Sequence, residues 1–174
     1  GEIAELAGMP QGGMRLRFTT NHDETAWDDT PVAIFGAGAR AAFVATALLP
    51  GRPLLYNGQE VESPQKLPLF ERELVQWEQP HAAEAREFYR QVLELTRTQP
   101  ALIRGDFVEI RTSAPSDVIA FRRGGIVVLV NPRPTPVRFT VTSIELDGRR
   151  DLLTSRKQRG NRVTLPAYGY LVLQ

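Results

Sequence analysis

The feature that most constrains the fold is a change in hydrophobic periodicity near residue 104. From Pro80 to about residue 98, apolar residues recur at helical spacing, and from residue 104 onward the period changes to two. Turn residues separate the short segments of this second part, which are residues 107–110, 118–121, 126–130, 137–141, 162–165 and 168–173. The pattern predicts an antiparallel β-sandwich over residues 104–174, in which Arg123-Gly124-Gly125 forms a hairpin turn.

Residues 1–103 show a different order, in which strands alternate with helices. Residues 14–20 and 53–57 are short apolar segments that predict two strands. A helix is predicted over residues 31–49, because Thr30 suits its N-cap and Pro31 its first turn. A crossover of this length makes the two strands parallel, so this part of the chain is predicted to be α/β.

Two further segments complete this first part. Residues 24–29 are polar and predict a loop, which carries Trp27. A second helix is predicted from Pro80 to about residue 98, because Phe88, Tyr89 and Val92 follow helical spacing. The boundary between the two parts therefore falls near residue 104.

Polar side chains stand at the end of each predicted strand. The first strand ends in Asn21-His22-Asp23 and the second in Gly58-Gln59-Glu60. The C-terminal edge of a parallel sheet is where active sites are built, so these groups are candidate functional residues. A local interpretation competes with this one: the first strand is followed by an Asx turn, and His22 caps a nearby backbone group.

The charge balance and composition exclude several partners. The chain has 21 Lys and Arg against 20 Asp and Glu, which predicts no general polyanion partner. The basic stretch at 149–150 and 155–159 is interpreted as a solvated loop, so no nucleic acid is expected. No membrane partner is expected either, because Arg40 interrupts the apolar segment 31–49. The absence of Cys leaves the compartment open.

Four motifs together resemble the α-amylase family of glycoside hydrolases. They are Phe18-Thr19-Thr20-Asn21-His22-Asp23, similar to that family's seventh barrel strand; Gly51-Arg52-Pro53-Leu54-Leu55-Tyr56-Asn57-Gly58-Gln59-Glu60, similar to its eighth; Phe88-Tyr89-Arg90 with Pro100-Ala101-Leu102 and Gly105-Asp106-Phe107, similar to its last barrel helix and exit; and Leu165-Pro166-Ala167-Tyr168-Gly169-Tyr170, similar to the final strand of its C-terminal sandwich. The resemblance covers residues 14–174. It implies that residues 1–103 are a partial (β/α)8 TIM-barrel segment and that residues 104–174 are the appended β-sandwich.

The resemblance also implies roles for the candidate residues. Asp23 matches the carboxylate that stabilises the transition state, and His22 matches a hydrogen-bond donor to the sugar in the −1 subsite. Asn21 and Glu60 match supporting positions. Trp27 follows the first motif, so its indole is a candidate sugar-stacking platform, although packing beneath the loop is the competing interpretation.

The same comparison shows what this sequence lacks. The family's nucleophilic Asp and acid/base Glu belong to the fourth and fifth barrel strands, and no segment here matches either motif. Retaining hydrolysis needs two carboxyl groups about 5–5.5 Å apart, which Asp23 cannot supply alone. The chain by itself is therefore predicted to be inactive, and its expected partners are the missing N-terminal barrel portion and an α-linked glucan or oligosaccharide.

Two kinds of function follow from these expectations. In the first, the chain is the C-terminal part of a retaining α-glucan-active hydrolase or transglycosylase. In the second, it is a catalytically inactive family remnant that acts as a carbohydrate-binding or interaction module. No metal site and no cofactor are predicted in this chain, and calcium is possible only in the complete enzyme.

Overall fold

The computed structural model describes residues 8–174, so residues 1–7 of the predicted first domain lie outside the described part. In chain order the elements are β1 (Leu16–Arg17), α1 (His22–Trp27), α2 (Pro31–Phe35), a 3₁₀ turn (Gly36–Gly38), α3 (Ala39–Ala47), β2 (Arg52–Pro53), a second 3₁₀ turn (Gln59–Val61), α4 (Ala82–Thr98), α5 (Pro100–Arg104), β3 (Phe107–Glu109), β4 (Ile119–Arg123), β5 (Ile126–Val130), β6 (Val137–Thr140), β7 (Arg162–Leu165) and β8 (Tyr170–Leu173).

The two strands of the first part pair in parallel, as predicted. Leu16 lies opposite Arg52, and Arg17 lies opposite Pro53. Each strand has only two residues, so the predicted extents of 14–20 and 53–57 are wrong. Among the described residues, each strand pairs with one other strand only. Because the hydrogen bonds lie on one side of each strand, they keep only a short stretch of the chain extended. Residues 8–174 form no closed barrel.

The polar segment after β1 is a helix, and its prediction as a loop is wrong. Residues 22–27 form α1, which the Asn21 side chain caps. Asp23 and Glu24 lie in its first turn, where negative charge complements the exposed backbone N–H groups. A six-residue helix carries little hydrophobic periodicity, so its capping residues are the only sequence signal for it.

The predicted helix over 31–49 begins as expected but does not continue unbroken. Thr30 caps α2, and its hydroxyl accepts from the Ala33 N–H at 3.3 Å. Gly36 then takes a φ of +53°, which ends α2 before α3 begins at Ala39. A Cβ atom on Gly38 would lie 2.9 Å from the ring of Tyr168, so the break accommodates a side chain from the sandwich.

The second predicted helix is confirmed as α4, which begins at Ala82 rather than at Pro80. Its buried face includes Phe88, Tyr89 and Val92, as the spacing predicts. A short helix that the pattern does not predict, α5, follows it. No helix within residues 8–174 has the length and apolar character needed to cross a membrane.

The second part consists of antiparallel sheets, as predicted. Four strands pair in the order β3-β4-β5-β8, and β6 pairs with β7 in a separate ladder. Gly124 and Gly125 connect β4 to β5, which confirms the predicted hairpin. Gly124 has a φ of +51°, a conformation that a tight hairpin turn requires and that favours glycine.

Strand β5 lies at the centre of the fold, because all five of its residues are buried. Val127 and Leu129 pack towards Phe139 and Val163 of the β6–β7 ladder. The residues between them on the strand point to the opposite face and pack against α3 and α4: Ile126, Val128 and Val130. Three layers result, with helices, a four-stranded sheet and a two-stranded sheet, and one core continues across residue 104.

Candidate functional site

Asn21 shapes the end of β1 through its side chain. Its backbone is extended, with a φ of −146°, and its Oδ1 accepts from the N–H groups of Asp23 at 2.8 Å and Glu24 at 2.9 Å. Both bonds satisfy backbone donors that the first turn of a helix leaves unpaired. Asn21 is thus committed to the backbone, and the two residues after it are positioned by the cap.

His22 and Asp23 project from this cap into solvent. The His22 side chain is 67% exposed and that of Asp23 is 56% exposed, and 3.5 Å separates Nε2 from Oδ1. Within residues 8–174, the contact with His22 involves one oxygen of the Asp23 carboxylate, Oδ1. A charged acceptor and an imidazole therefore stand side by side at the C-terminal end of a strand, available to a polar ligand.

A buried hydroxyl pair anchors α1 below this surface. Thr20 and Thr25 are both almost fully buried, and 2.6 Å separates their Oγ1 atoms. The bond joins the end of β1 to the middle of α1, so the short helix is held by a tertiary contact as well as by its cap. Sequence reasoning does not find this pair, because two threonines five residues apart are a common occurrence.

The loop after β2 is tied to the end of β1 by Gln59. Its Nε2 donates to the Thr19 Oγ1 at 2.8 Å, and the residue is 5% exposed. Gly58 has a φ of +90°, which lets the loop turn sharply before Gln59. Gln59 belongs to the polar tip that the sequence indicates, but its bond to Thr19 depends on the pairing of two distant strands.

Glu60 lies in the same loop and bonds within it. Its Oε2 accepts from the Gly58 N–H at 2.9 Å, so the carboxylate is turned into its own loop. Among the described residues, Glu60 and Asp23 share no hydrogen bond. Glu60 therefore shapes the loop beside the site.

An ion-pair network holds this loop against the helices. Arg40 of α3 contacts Glu62 at 2.6 and 3.1 Å and Glu84 of α4 at 2.5 Å, and its guanidinium lies 5.4 Å from the ring centroid of Phe88. The hydrogen bond to Glu62 is the largest cause that raises the pKa of Arg40 above its usual range. The Arg40 guanidinium in turn lowers the pKa of the Glu84 carboxyl.

Trp27 ends α1 at the rim of the site. Its side chain is 71% exposed, so it is not packed beneath a loop. Lys66 donates from Nζ to the carbonyl oxygens of Trp27 at 3.3 Å and Asp28 at 2.7 Å. These bonds fasten the end of α1 to the segment after β2, which carries the exposed side chains of Phe70 and Leu74. An exposed indole held in this way is able to stack on a ligand.

Metal-binding chemistry finds no support in the described part of the chain. Within residues 8–174, no group of three or more His, Asp or Glu side chains converges as a metal site would require. The chemistry available at the candidate site is that of one carboxylate, one imidazole and one indole.

Comparisons with known proteins show which solved structures share the fold of this chain. No family model and no curated protein sequence matches the chain. Among solved structures, a noncanonic maltogenic α-amylase from Thermotoga neapolitana is similar with 21% identity and a TM-score of 0.71 over 94% of this chain and 41% of that one. AmyP in complex with maltose is similar with 16% identity and a TM-score of 0.72 over 98% of this chain and 42% of that one. Isomaltulose synthase from Klebsiella sp. LX3 is similar with 16% identity and a TM-score of 0.69 over 99% of this chain and 44% of that one.

The resemblance that the four motifs indicate is thus confirmed in the fold. The chain has a fold shared with α-amylase family enzymes. It spans about two-fifths of the length of the solved structures that it matches.

Proposed function

We propose that this chain is the C-terminal part of a retaining α-glucan-active glycoside hydrolase or transglycosylase of the α-amylase family. The observation that supports it most directly is the Asn21 cap, which presents His22 and Asp23 at the C-terminal end of β1. The loop that follows the parallel strand β2 lies beside that end through the Gln59–Thr19 bond. This is the edge of a parallel sheet at which barrel enzymes place their catalytic groups.

In this proposal β1 and β2 with their helices are the last two units of a (β/α)8 barrel. Exposed apolar residues on and just before β1 support it, because Leu16 is 54% exposed and Met14, two residues earlier, is 55% exposed. Two open strand edges with apolar side chains are covered when neighbouring strands complete the barrel. The preceding barrel portion would supply the nucleophile and the acid/base, so this chain alone has no hydrolytic activity.

Asp23 would act on the transition state rather than attack the sugar. The oxocarbenium-like transition state is stabilised by hydrogen bonds to ring hydroxyls that strengthen as positive charge develops. The cap and the Thr20–Thr25 bond hold the backbone of Asp23 in place. Because the carboxylate is already positioned, it stabilises the transition state without having to reorient during the reaction. His22 would donate to the same sugar, and Trp27 would stack on a sugar on the acceptor side of the cleaved bond.

The test is α-glucan cleavage by the native polypeptide that carries this chain, purified from its source. Its intact mass is measured first, and about two to three times the 19.4 kDa of this chain is expected from the extent of the matched structures. Asp23→Asn is expected to lower kcat by about 10²–10³, with KM changed only a few-fold, because the lost interaction belongs to the transition state.

Glu24→Gln is the matched control, since it removes a neighbouring carboxylate from the same helix turn. Its kcat is expected to remain near that of the unmodified protein. Near-normal turnover of Asp23→Asn would contradict the assigned role. A native mass of 19.4 kDa without α-glucan cleavage would instead favour the inactive, carbohydrate-binding module.

A further inference from the structure

The near-zero net charge of the chain conceals two halves of opposite sign. Residues 104–174 contain twelve Lys and Arg against six Asp and Glu, whereas residues 1–103 contain nine against fourteen. Positive charge concentrated on one half of a molecule attracts anionic ligands to that half. The site described above lies in the acidic half, so it does not account for this excess.

Part of the excess lies on the outward face of the β6–β7 ladder. Arg138 pairs with Thr164, and Thr140 pairs with Arg162. These four side chains share one face, because their neighbours Phe139 and Val163 point into the core. Arg138 and Arg162 are diagonal cross-strand neighbours, about 7–8 Å apart, and both are exposed.

The face continues into a groove of about 560 Å³. Thr164 lines this groove from the strand side, and Arg156 and Lys157 line it from the loop before β7. Both cations are exposed. We call Arg138, Arg156, Lys157 and Arg162 the cationic face. Arg138 and Arg162 lie on the β6–β7 ladder, and Arg156 and Lys157 line the groove beside it.

No described acidic residue forms an ion pair with the cationic face. Arg122 and Arg133 of the same sandwich pair with Asp106 and Asp117, but none of the four cations forms an ion pair within residues 8–174. The carboxylate that lines the groove, Asp151, is 2% exposed and accepts from the N–H groups of Thr154 at 3.2 Å and Val172 at 3.1 Å. The Asp151 oxygens are therefore engaged by backbone donors and form no ion pair with the four cations among the described residues.

The groove offers no aromatic platform. Two tyrosines line it, but the Tyr168 ring packs over Gly38, and the Tyr170 ring lies 6.0 Å from that of Phe88. The outward residues of the ladder are two arginines and two threonines. Single-stranded nucleic acids are bound by base stacking together with positive charge, so a face with charge and hydroxyl groups alone does not suit them.

We propose that the cationic face binds an anionic saccharide, a glycan that carries carboxylate or phosphate groups. Arginine forms bidentate hydrogen bonds to either anion, and threonine hydroxyls bond to sugar hydroxyls. The choice of a glycan over an acidic protein rests on the proposed function, in which this chain belongs to a glucan-active enzyme. The anionic requirement rests only on the cationic face.

The test measures binding of the 174-residue chain to fluorescently labelled glycans by anisotropy. Polygalacturonate tests the carboxylate, phosphorylated amylopectin tests the phosphate, and pullulan is the uncharged glucan. Both charged glycans, or one of them, are expected to bind with an affinity that falls steeply as salt is added, and pullulan is expected to bind at least tenfold more weakly.

The variant Arg138→Gln with Arg162→Gln is expected to weaken binding of the charged glycan about tenfold. Arg156→Gln with Lys157→Gln removes charge from a loop instead of a strand, so it gives the same test if the first variant folds poorly. The matched control is Arg72→Gln with Arg86→Gln, two exposed arginines of the acidic half without an ion pair among the described residues, and its affinity is expected to stay unchanged.

The proposal would be overturned if the cationic-face variants bound the charged glycan as tightly as the unmodified chain does. It would also be overturned if the control variant lost as much affinity as the cationic-face variants do. Tighter binding of a poly-dT oligonucleotide than of either charged glycan would overturn the assignment to saccharides. Failure of the proposed function would give a different result. The native polypeptide would then show no α-glucan cleavage, while the charge-dependent binding of this chain would remain.

Discussion

The sandwich, residues 104–174, and the site region, which comprises β1, α1, β2 and the segment after β2, are stabilised in different ways. In the sandwich, β5 is buried on both faces and has a paired neighbour on each side. In the site region, β1 has two residues and one neighbour, and half of the Leu16 side chain faces solvent. The core of the sandwich continues into α3 and α4. The site region instead holds its shape through caps, buried hydroxyls and ion pairs at the ends of its elements.

This difference indicates where stability and function reside. Apolar burial provides most of the free energy of folding, so global stability depends mainly on the sandwich and the helices packed on it. The exposed polar groups at the end of β1 add little to that core and are free to serve a ligand. Substitutions in the two regions should therefore affect different observables.

The largest effect on stability is expected from the core of the sandwich. Phe139 is 2% exposed between the sheets, so Phe139→Ala should lower the free energy of unfolding by about 3–5 kcal/mol. Phe70→Ala, which removes a ring that is 85% exposed in the site region, should change it by less than about 0.5 kcal/mol. Urea unfolding followed by circular dichroism measures both, and similar losses would contradict the contrast between the regions.

The next effect is expected where the two regions meet. Arg123 of β4 is 4% exposed and donates to the carbonyl oxygens of Leu102 at 2.7 Å, Gly105 at 3.3 Å and Leu48 at 3.4 Å. Arg123→Met leaves these carbonyl groups without their donor and should lower the free energy of unfolding by about 3 kcal/mol. Arg123→Lys keeps the charge and should lose less; equal stability of Arg123→Met and the unmodified chain would show that the regions are not coupled here.

A smaller, local effect is expected from the cap of α1. Asn21→Ala removes the acceptor of two backbone N–H groups and should cost about 1 kcal/mol of local stability. Hydrogen exchange at the amides of Asp23 and Glu24 should accelerate, while exchange in β5 should stay unchanged. Asn21→Asp retains an acceptor and serves as the control; faster exchange in β5 of Asn21→Ala would show that α1 is part of the global folding unit.

The smallest effect is expected from an exposed ion pair on α4. Hydrogen bonds from Arg90 and then Gln91 lower the pKa of Glu87 from 4.5 to about 2. Because the pKa is lower in the folded chain, this pair stabilises above about pH 4.5, and its contribution is lost as the pH falls towards 2. Glu87→Gln should flatten the pH dependence of unfolding in that window, and carbon NMR of the Glu87 carboxyl should titrate near 2. Titration near 4.5 would show that solvent screens the pair.

The predictions from the sequence succeeded where a signal is local. Alternation and the Gly124-Gly125 turn located β4 and β5 to within two residues, because each residue's face follows from its position along a strand. Thr30 located the start of α2 because a cap acts on its own first turn. The break at Gly38 was missed, since Tyr168 follows it by 130 residues.

The candidate site shows the same division. The sequence indicated the polar ends of both strands, since abrupt changes from apolar to polar residues are visible locally. It did not show that Gln59 rather than Glu60 joins the two strand ends, or that Asn21 starts a helix and not a loop. The Gln59–Thr19 bond joins residues 40 apart in the chain, so it depends on their approach in space. The Asn21 cap is local, and it was missed because a six-residue helix carries little hydrophobic periodicity.

By itself, the sequence determined the parallel strand pair of the first part, its second long helix, the antiparallel character of the second part and the polar identity of the site residues. These properties follow from the period of apolar residues and from turn chemistry, which act within a few residues. Only the tertiary structure decided that one core joins α3 and α4 to β5, that Asp151 accepts hydrogen bonds from backbone N–H groups, and that the cationic face forms no ion pair within residues 8–174. Burial and ion pairing are properties of neighbours in space, and the chain brings those neighbours together only when it folds.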